Sequence, residues 1–171
     1  MYSNDMNGDG WITDLIYVPS GKGDIKFLTT ADEDAFFAFV EQDKYLSKHK
    51  GEYVKANEVK APWVHNFDLR IVQGFNLKVG KVNNTLEISL DFLNFGNLLN
   101  NTWGTYKNMS SSNYGKILKY ESKDANNVPT FSMVKIKDSA GNMVYPTETF
   151  TTNYSYSQTW SLQFGIRYKF N

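Results

Sequence analysis

The sequence predicts an all-β, antiparallel fold, read as a segment of a transmembrane β-barrel with long loops and one short loop helix. Three observations carry that expectation. First, residues 154–170 place Tyr154, Tyr156, Trp160, Leu162, Phe164, Ile166, Tyr168 and Phe170 on one face of a strand, with only Gln158 breaking the set. Ser155, Ser157, Thr159, Ser161, Gln163, Gly165, Arg167 and Lys169 fall on the other face, because successive side chains alternate across the pleat. Second, the same alternation recurs as Leu69, Ile71, Phe75, Leu77 and Val79, and again as Leu86, Ile88, Leu90 and Phe92. Third, at roughly 3.3 Å per residue and a tilt of about 40°, the last run rises about 43 Å, enough to cross the ~25 Å apolar band of an outer-membrane barrel.

Taken in order, residues 1–62 read as a loop. Asn7-Gly8-Asp9-Gly10 and Ser20-Gly21-Lys22-Gly23 supply turn chemistry around the apolar piece Leu15-Ile16-Tyr17-Val18. Within that loop a helix is predicted near 31–48. Thr30 is its expected N-cap, Asp32, Glu33 and Asp34 put negative charge in the first turn, and Phe36, Phe37, Phe39 and Val40 give it an apolar surface before Gly51. Pro62 then opens a strand over 63–79, whose polar face carries Asn66, Asp68, Arg70, Gly74, Asn76 and Lys78, with Gln73 and Val72 as exceptions on either side. The connection Gly80-Lys81-Val82-Asn83-Asn84 leads into a return strand over 85–95. Residues 97–152 are polar and rich in Asn, Ser and Lys, a length that marks a functional, partly structured surface loop. Strand-like pieces stand at 115–120 and 131–137, with a turn at Ser139-Ala140-Gly141-Asn142. The last strand covers 153–170.

Composition excludes several classes. The formal net charge is zero and the pI is near 6.7, so nothing draws the chain electrostatically to nucleic acid. Mean hydropathy is -0.48, and no stretch approaches the ~18 consecutive apolar residues of a membrane helix. A barrel survives that test because polar lumen-facing residues dilute the average. Aromatic content is 16%, with 11 Tyr, 12 Phe and 4 Trp, which suits interfacial girdles and carbohydrate-binding surfaces alike. Cysteine is absent, which removes disulfides and thiolate metal sites. Met1-Tyr2-Ser3-Asn4-Asp5 shows no basic region followed by an apolar stretch, so no signal peptide is expected there.

For chemistry, Asp5-Met6-Asn7-Gly8-Asp9-Gly10 matches the first half of a calcium loop. Oxygens of Asp5, Asn7, Asp9 and Asp14 are the candidate ligands, although Ile16 stands where a bidentate Glu would close an EF-hand. Ser132-Met133-Val134-Lys135 fits a serine-acylase tetrad without its companion motifs. His49 and His65 are the only histidines and have no third ligand in view. No phosphate loop, nucleophile elbow or zinc spacing is present, so the chain is read as no enzyme. Trp11, Trp63, Trp103, Tyr106 and Tyr114 are candidate ligand-facing aromatics, with interface anchoring as the alternative.

Five blocks in order carry a family resemblance. They are Asn7-Gly8-Asp9-Gly10 leading to Asp14-Leu15-Ile16-Tyr17-Val18-Pro19; Tyr45-Leu46 with His49-Lys50-Gly51; and Ala61-Pro62-Trp63 leading to Phe67-Asp68-Leu69-Arg70. Asp91-Phe92-Leu93-Asn94-Phe95-Gly96-Asn97-Leu98-Leu99 with Trp103-Gly104, and Gly165-Ile166-Arg167-Tyr168-Lys169-Phe170, complete the set. Together they resemble the C-terminal end of the barrel of TonB-dependent outer-membrane receptors. The terminal residues Gln163, Gly165, Tyr168 and Phe170 also resemble the β-signal that addresses bacterial outer-membrane proteins to their assembly machinery. The resemblance implies the last three strands of a barrel of about 22, plugged by an N-terminal domain, with 1–62 and 97–152 as extracellular loops. It implies import of a bulky nutrient, residence in the bacterial cell outer membrane, and as partners the remaining barrel and plug, TonB and the assembly machinery. On that reading Asp68, Arg70, Glu87, Asp91, Arg167 and Lys169 face the lumen as a charge network. A soluble β-rich module binding a ligand or carbohydrate is the alternative expectation.

Overall fold

The computed structural model describes residues 1–110, 115–152 and 154–170. It is mostly β-strand with few helices, as expected. In chain order the first elements are β1 (Tyr17–Val18), β2 (Lys26–Phe27), α1 (Thr30–Gln42) and β3 (Glu52–Tyr53). Next come β4 (Leu69–Val79), β5 (Val82–Leu93), α2 (Phe95–Leu99) and β6 (Lys107–Met109). The remainder is β7 (Leu118–Lys123), β8 (Pro129–Met133), β9 (Ile136–Lys137), β10 (Met143–Val144), β11 (Phe150–Thr152) and β12 (Ser161–Phe170). The chain divides into two compact units, Met1–Ala61 with Asn108–Thr151, and Pro62–Lys107 with Thr152–Asn171.

The first unit turns both long connections of the sequence reading into one core. β2, β8 and β7 form a three-stranded sheet in which β2 runs parallel to β8, while β1–β3 and β9–β10 are two-stranded ribbons. α1 buries Phe36, Phe39 and Val40 beside Ile16, Val18, Leu118, Phe131 and Met133. Each such side chain contributes roughly 1.5–3 kcal/mol on burial. The helix starts one residue earlier than expected, with Thr29 rather than Thr30 as N-cap, its hydroxyl oxygen accepting from Asp32 N at 3.1 Å. Asp32 is itself buried and accepts from Met133 N at 3.0 Å and from the Tyr145 hydroxyl at 3.1 Å, which ties the helix start to β8.

The expected helix near 31–48 breaks at Asp43. That carboxylate accepts from Tyr45 N at 2.8 Å and Leu46 N at 2.9 Å, so these amides bond to a side chain instead of extending the helix. A separate 3-10 turn, Leu46–Lys48, follows.

The second unit holds one three-stranded antiparallel sheet in the order β12-β5-β4. All three predicted long strands are present, with corrected limits. The 63–79 strand begins only at Leu69 and the 85–95 strand spans Val82–Leu93. The cause is Asn94, whose φ of 52° swings the chain off the sheet into α2, so that before Leu69 the regular ladder gives way to single bonds, from Phe95 N to Phe67 O at 2.9 Å and from Asn94 N to the Asp68 carboxylate at 2.7 Å. The five-residue connection expected at 80–84 shrinks to Gly80 and Lys81, since Val79 pairs with Val82. Gly80 supplies the positive φ, 64°, that a two-residue hairpin turn demands at its first position.

The C-terminal strand is shorter than the 153–170 expected. It begins at Ser161; Tyr156–Gln158 form a 3-10 turn, so Tyr154 and Tyr156 lie off the strand, and Asn153 lies outside the described residues. Gln158, the residue that breaks the alternation, is buried and hydrogen-bonded there. Ten residues at the same tilt still rise about 25 Å.

Candidate functional site

The paired registers sort the sheet's side chains into two unlike faces. Across the strands, Leu69, Phe92 and Leu162 form one row, Ile71, Leu90 and Phe164 the next, then Gln73, Ile88 and Ile166, then Phe75, Leu86 and Tyr168, and last Leu77, Asn84 and Phe170. Thirteen of those fifteen side chains are apolar or aromatic, and on β4 and β12 they stand in solvent, Ile166 at 65%. A contiguous apolar face of this kind is what a folded chain normally covers. Among the described residues the outer edges of β4 and β12 have no strand partner, so the sheet is open rather than a closed barrel.

The opposite face is polar and internally paired. Arg70 Nε lies 3.1 Å from Asp91, Arg167 Nη1 3.6 Å from Glu87, and Lys169 Nζ 3.3 Å from Glu87. The cations are more than half exposed, so each pair contributes about 1 kcal/mol or less. Asp68, the remaining member of the expected network, instead accepts from Asn94 N at 2.7 Å.

Gln163, Gly165, Tyr168 and Phe170, expected as an assembly signal, have local explanations. Gln163 stands opposite Asp91 and Gly165 opposite Ser89. A Cβ on Gly165 would come within 2.4 Å of Ser89 Oγ, so the glycine makes room for that hydroxyl. Tyr168 donates its hydroxyl to Asn84 Oδ1, and its ring lies 6.1 Å from that of Phe170.

Of the aromatic candidates, Trp63 and Trp103 line one hollow of about 350 Å³ together with His65, Phe67 and Thr102. Trp63 is 92% exposed. Tyr106, also exposed, and Trp11, in the other unit, do not line it. Tyr114 lies outside the described residues. The first unit has a larger cavity of about 530 Å³, floored by Leu15, Ile16, Phe39, Leu46 and Val54, which the sequence did not suggest.

The candidate calcium loop is closed by its own backbone. Asp5 accepts from Gly8 N at 2.6 Å and Gly10 N at 2.8 Å, Asn7 Oδ1 from Asp9 N at 2.9 Å, Asp9 Oδ1 from Trp11 N at 2.7 Å, and Asp14 from Met6 N at 2.6 Å. Among the described residues no three His, Cys, Asp or Glu side chains gather as a metal cluster. The Gly10 amide, followed by that of Gly8, holds the Asp5 carboxyl below its usual 3.8. A depressed carboxylate contributes stability above the unfolded pKa and loses it as pH falls through the folded value. The Gly8 and Gly10 amides should therefore stay bonded at pH 4 and release below it. In an NMR titration their shifts should move with a midpoint under 3.8; a midpoint at or above 3.8 would show that these bonds do not hold the charge.

The remaining motifs do not assemble chemistry. The Ser132 hydroxyl bonds Glu121 at 2.5 Å while the Lys135 ammonium sits 4.7 Å above the Tyr145 ring, so the tetrad's serine and lysine engage different partners. His49 stacks on Tyr45, ring centroids 4.0 Å apart.

Reading the sequence missed Asn94, Asn97 and Gln158, three buried polar residues where β5 ends and β12 begins. Gln158 was visible as the break in the alternation, and Asn94 as a residue type that tolerates positive φ. Comparison with known protein families, curated proteins and solved structures finds no match to this chain.

Proposed function

We propose that this chain contributes wall to a TonB-dependent receptor barrel in the bacterial outer membrane, as the last three strands with their loops, and acts in nutrient import rather than catalysis. The observation that carries the reading is the sorting of β4, β5 and β12 into one continuous, exposed apolar face and one ion-paired polar face. A lipid-facing wall needs the first and a wet lumen the second. Strand length agrees, and so does the two-residue turn at Gly80 and Lys81 against the long connections at the other end of the strands.

Unpaired backbone groups have no partner in hydrocarbon. The edges of β4 and β12 therefore call for neighbouring strands, which the rest of the receptor barrel supplies; plug and TonB engage through parts of the receptor outside these residues. Gln163, Gly165, Tyr168 and Phe170 then serve as the assembly signal. The alternative, a soluble module binding a ligand or carbohydrate, is favoured by one feature, the hollow shared by Trp63 and Trp103.

Size-exclusion light scattering with circular dichroism on the chain, with and without detergent, separates the two. Aggregation that detergent reverses to a β-rich species is the expected result. A monodisperse, cooperatively folding β-rich monomer in buffer alone would overturn the membrane reading in favour of the module.

A further inference from the structure

We infer that Asn94, Asn97 and Gln158 form a polar clasp that sets the register of β12 on β5, and with it the residue opposite which each aromatic side chain of the C-terminal strand stands. The need for such a device follows from the sheet itself. β4 and β5 are joined by a two-residue turn, which fixes their register. β12 reaches β5 only after residues 94–160, so no turn aligns it. Its alternation leaves the choice loose, because sliding β12 by two residues toward the β4–β5 turn keeps every apolar side chain on the apolar face and all ten residues opposite β5; within the ladder, the fit of Gly165 over the Ser89 hydroxyl opposes the slip. The exposed ion pairs of Glu87 with Arg167 and Lys169 are too weak to choose.

The clasp adds a second and larger set of register-specific contacts to that single fit in the ladder. Asn94 Nδ2 donates to Gln158 O at 2.8 Å and to Gly104 O at 3.3 Å. Gln158 Oε1 accepts from Tyr106 N at 2.8 Å, and Asn97 Oδ1 accepts from Trp160 N at 3.2 Å. Asn97 Nδ2 donates to Trp103 O at 2.9 Å, while Asn94 N bonds Asp68 and Phe95 N bonds Phe67 O, both at the approach to β4. All three clasp side chains are buried, with Asn94 Oδ1 lacking a hydrogen-bond partner among the described residues, so the discrimination rests on their other polar atoms, where a lost partner is costly. A two-residue slip carries Gln158 and Trp160 about 6.6 Å along the strand, which breaks the bonds from Asn94 and Asn97 together.

The fit leaves no slack. Gly104, at φ 64°, is packed so closely that a Cβ there would lie 2.0 Å from Asn94 Oδ1. The clasp belongs to the second unit alone, and it stands whether the apolar face meets lipid or not.

The chain has no cysteine, which permits a direct register assay on the full chain, in buffer and in detergent micelles alike. Thr85 and Lys169 are paired on the polar face, so Thr85→Cys with Lys169→Cys reports the native register, and Thr85→Cys with Arg167→Cys reports a two-residue slip. With the clasp intact the native disulfide should form in roughly tenfold excess or more. Asn94→Asp, which tolerates the same positive φ but loses both donors, combined with Gln158→Ala should bring the two yields close to equal. Gln158→Glu, which keeps the acceptor oxygen, should retain the native excess. An unchanged excess in the double variant would overturn the inference. So would loss of both disulfides with the β-sheet signal, because the cluster would then supply stability rather than alignment.

Discussion

Arginine in place of Ile166 is expected to be among the most damaging single changes in the sheet. Ile166 sits in the middle row of the apolar face, between Ile88 and the open edge of β12, with 65% of its surface exposed. Under the barrel reading that row lies at the bilayer midplane, where an arginine on the lipid face costs about 2–4 kcal/mol, or roughly 30- to 900-fold in the folded-to-unfolded ratio. Thr85→Arg, on the polar face three residue pairs away, should change stability by about 0.5 kcal/mol or less. The comparison is made by urea titration in phospholipid micelles, following the β-sheet signal. Equal sensitivity at the two positions would remove the distinction between the faces on which the membrane reading rests. In buffer without lipid the sign should reverse, Ile166→Arg raising solubility because it interrupts an exposed apolar patch.

Phe36→Ala should have the largest effect in the first unit. Its ring is fully buried and lies 5.4 Å from Phe27 and 5.9 Å from Phe37, centroid to centroid. Removing a buried phenylalanine leaves a cavity and costs about 3–5 kcal/mol, a large fraction of what a small domain has to spare. The loss should be local. Amides of α1 and β8 should exchange faster by the corresponding factor in a hydrogen-exchange measurement, while those of β5 and β12 keep their protection. Simultaneous loss of protection across both units would show that they unfold as one, contrary to a core confined to the first unit.

The two effects differ in kind because the two units use their apolar residues differently. In the first, Phe36, Phe39, Val18 and Leu118 turn inward on each other. In the second, Phe164, Ile166 and Phe170 turn outward. A period-two pattern specifies only that one face is apolar; what covers that face is a tertiary matter.

The three long strands were legible in the sequence, because alternation of Leu, Ile and Phe with charged residues admits one pleated arrangement and Gly80 marks the turn. Helix α1 was legible from the charge at Asp32 and Glu33 and the apolar set at Phe36, Phe39 and Val40. Their ends were not. Whether a residue continues a strand depends on a regular ladder opposite, and Asn94 interrupts that ladder by a backbone rotation that the Asn-Phe-Gly text permits without requiring. Likewise Asp43 ends α1 because its carboxylate captures two amides, a choice between competing hydrogen bonds settled by packing around it.

The candidate calcium loop shows the same division. Its spacing of oxygens was plain in the text, but the bonds from Gly8, Gly10, Asp9 and Trp11 amides to those oxygens exist only once the loop has closed. By itself, then, the sequence determined the secondary-structure periods and the two-faced character of the sheet, since these are local and follow from the geometry of the strand. Tertiary structure alone decided that the two long connections share a core in the first unit and that Asn94, Asn97 and Gln158 meet. Those contacts join residues far apart in the chain, and no local pattern encodes the partner of a buried polar group.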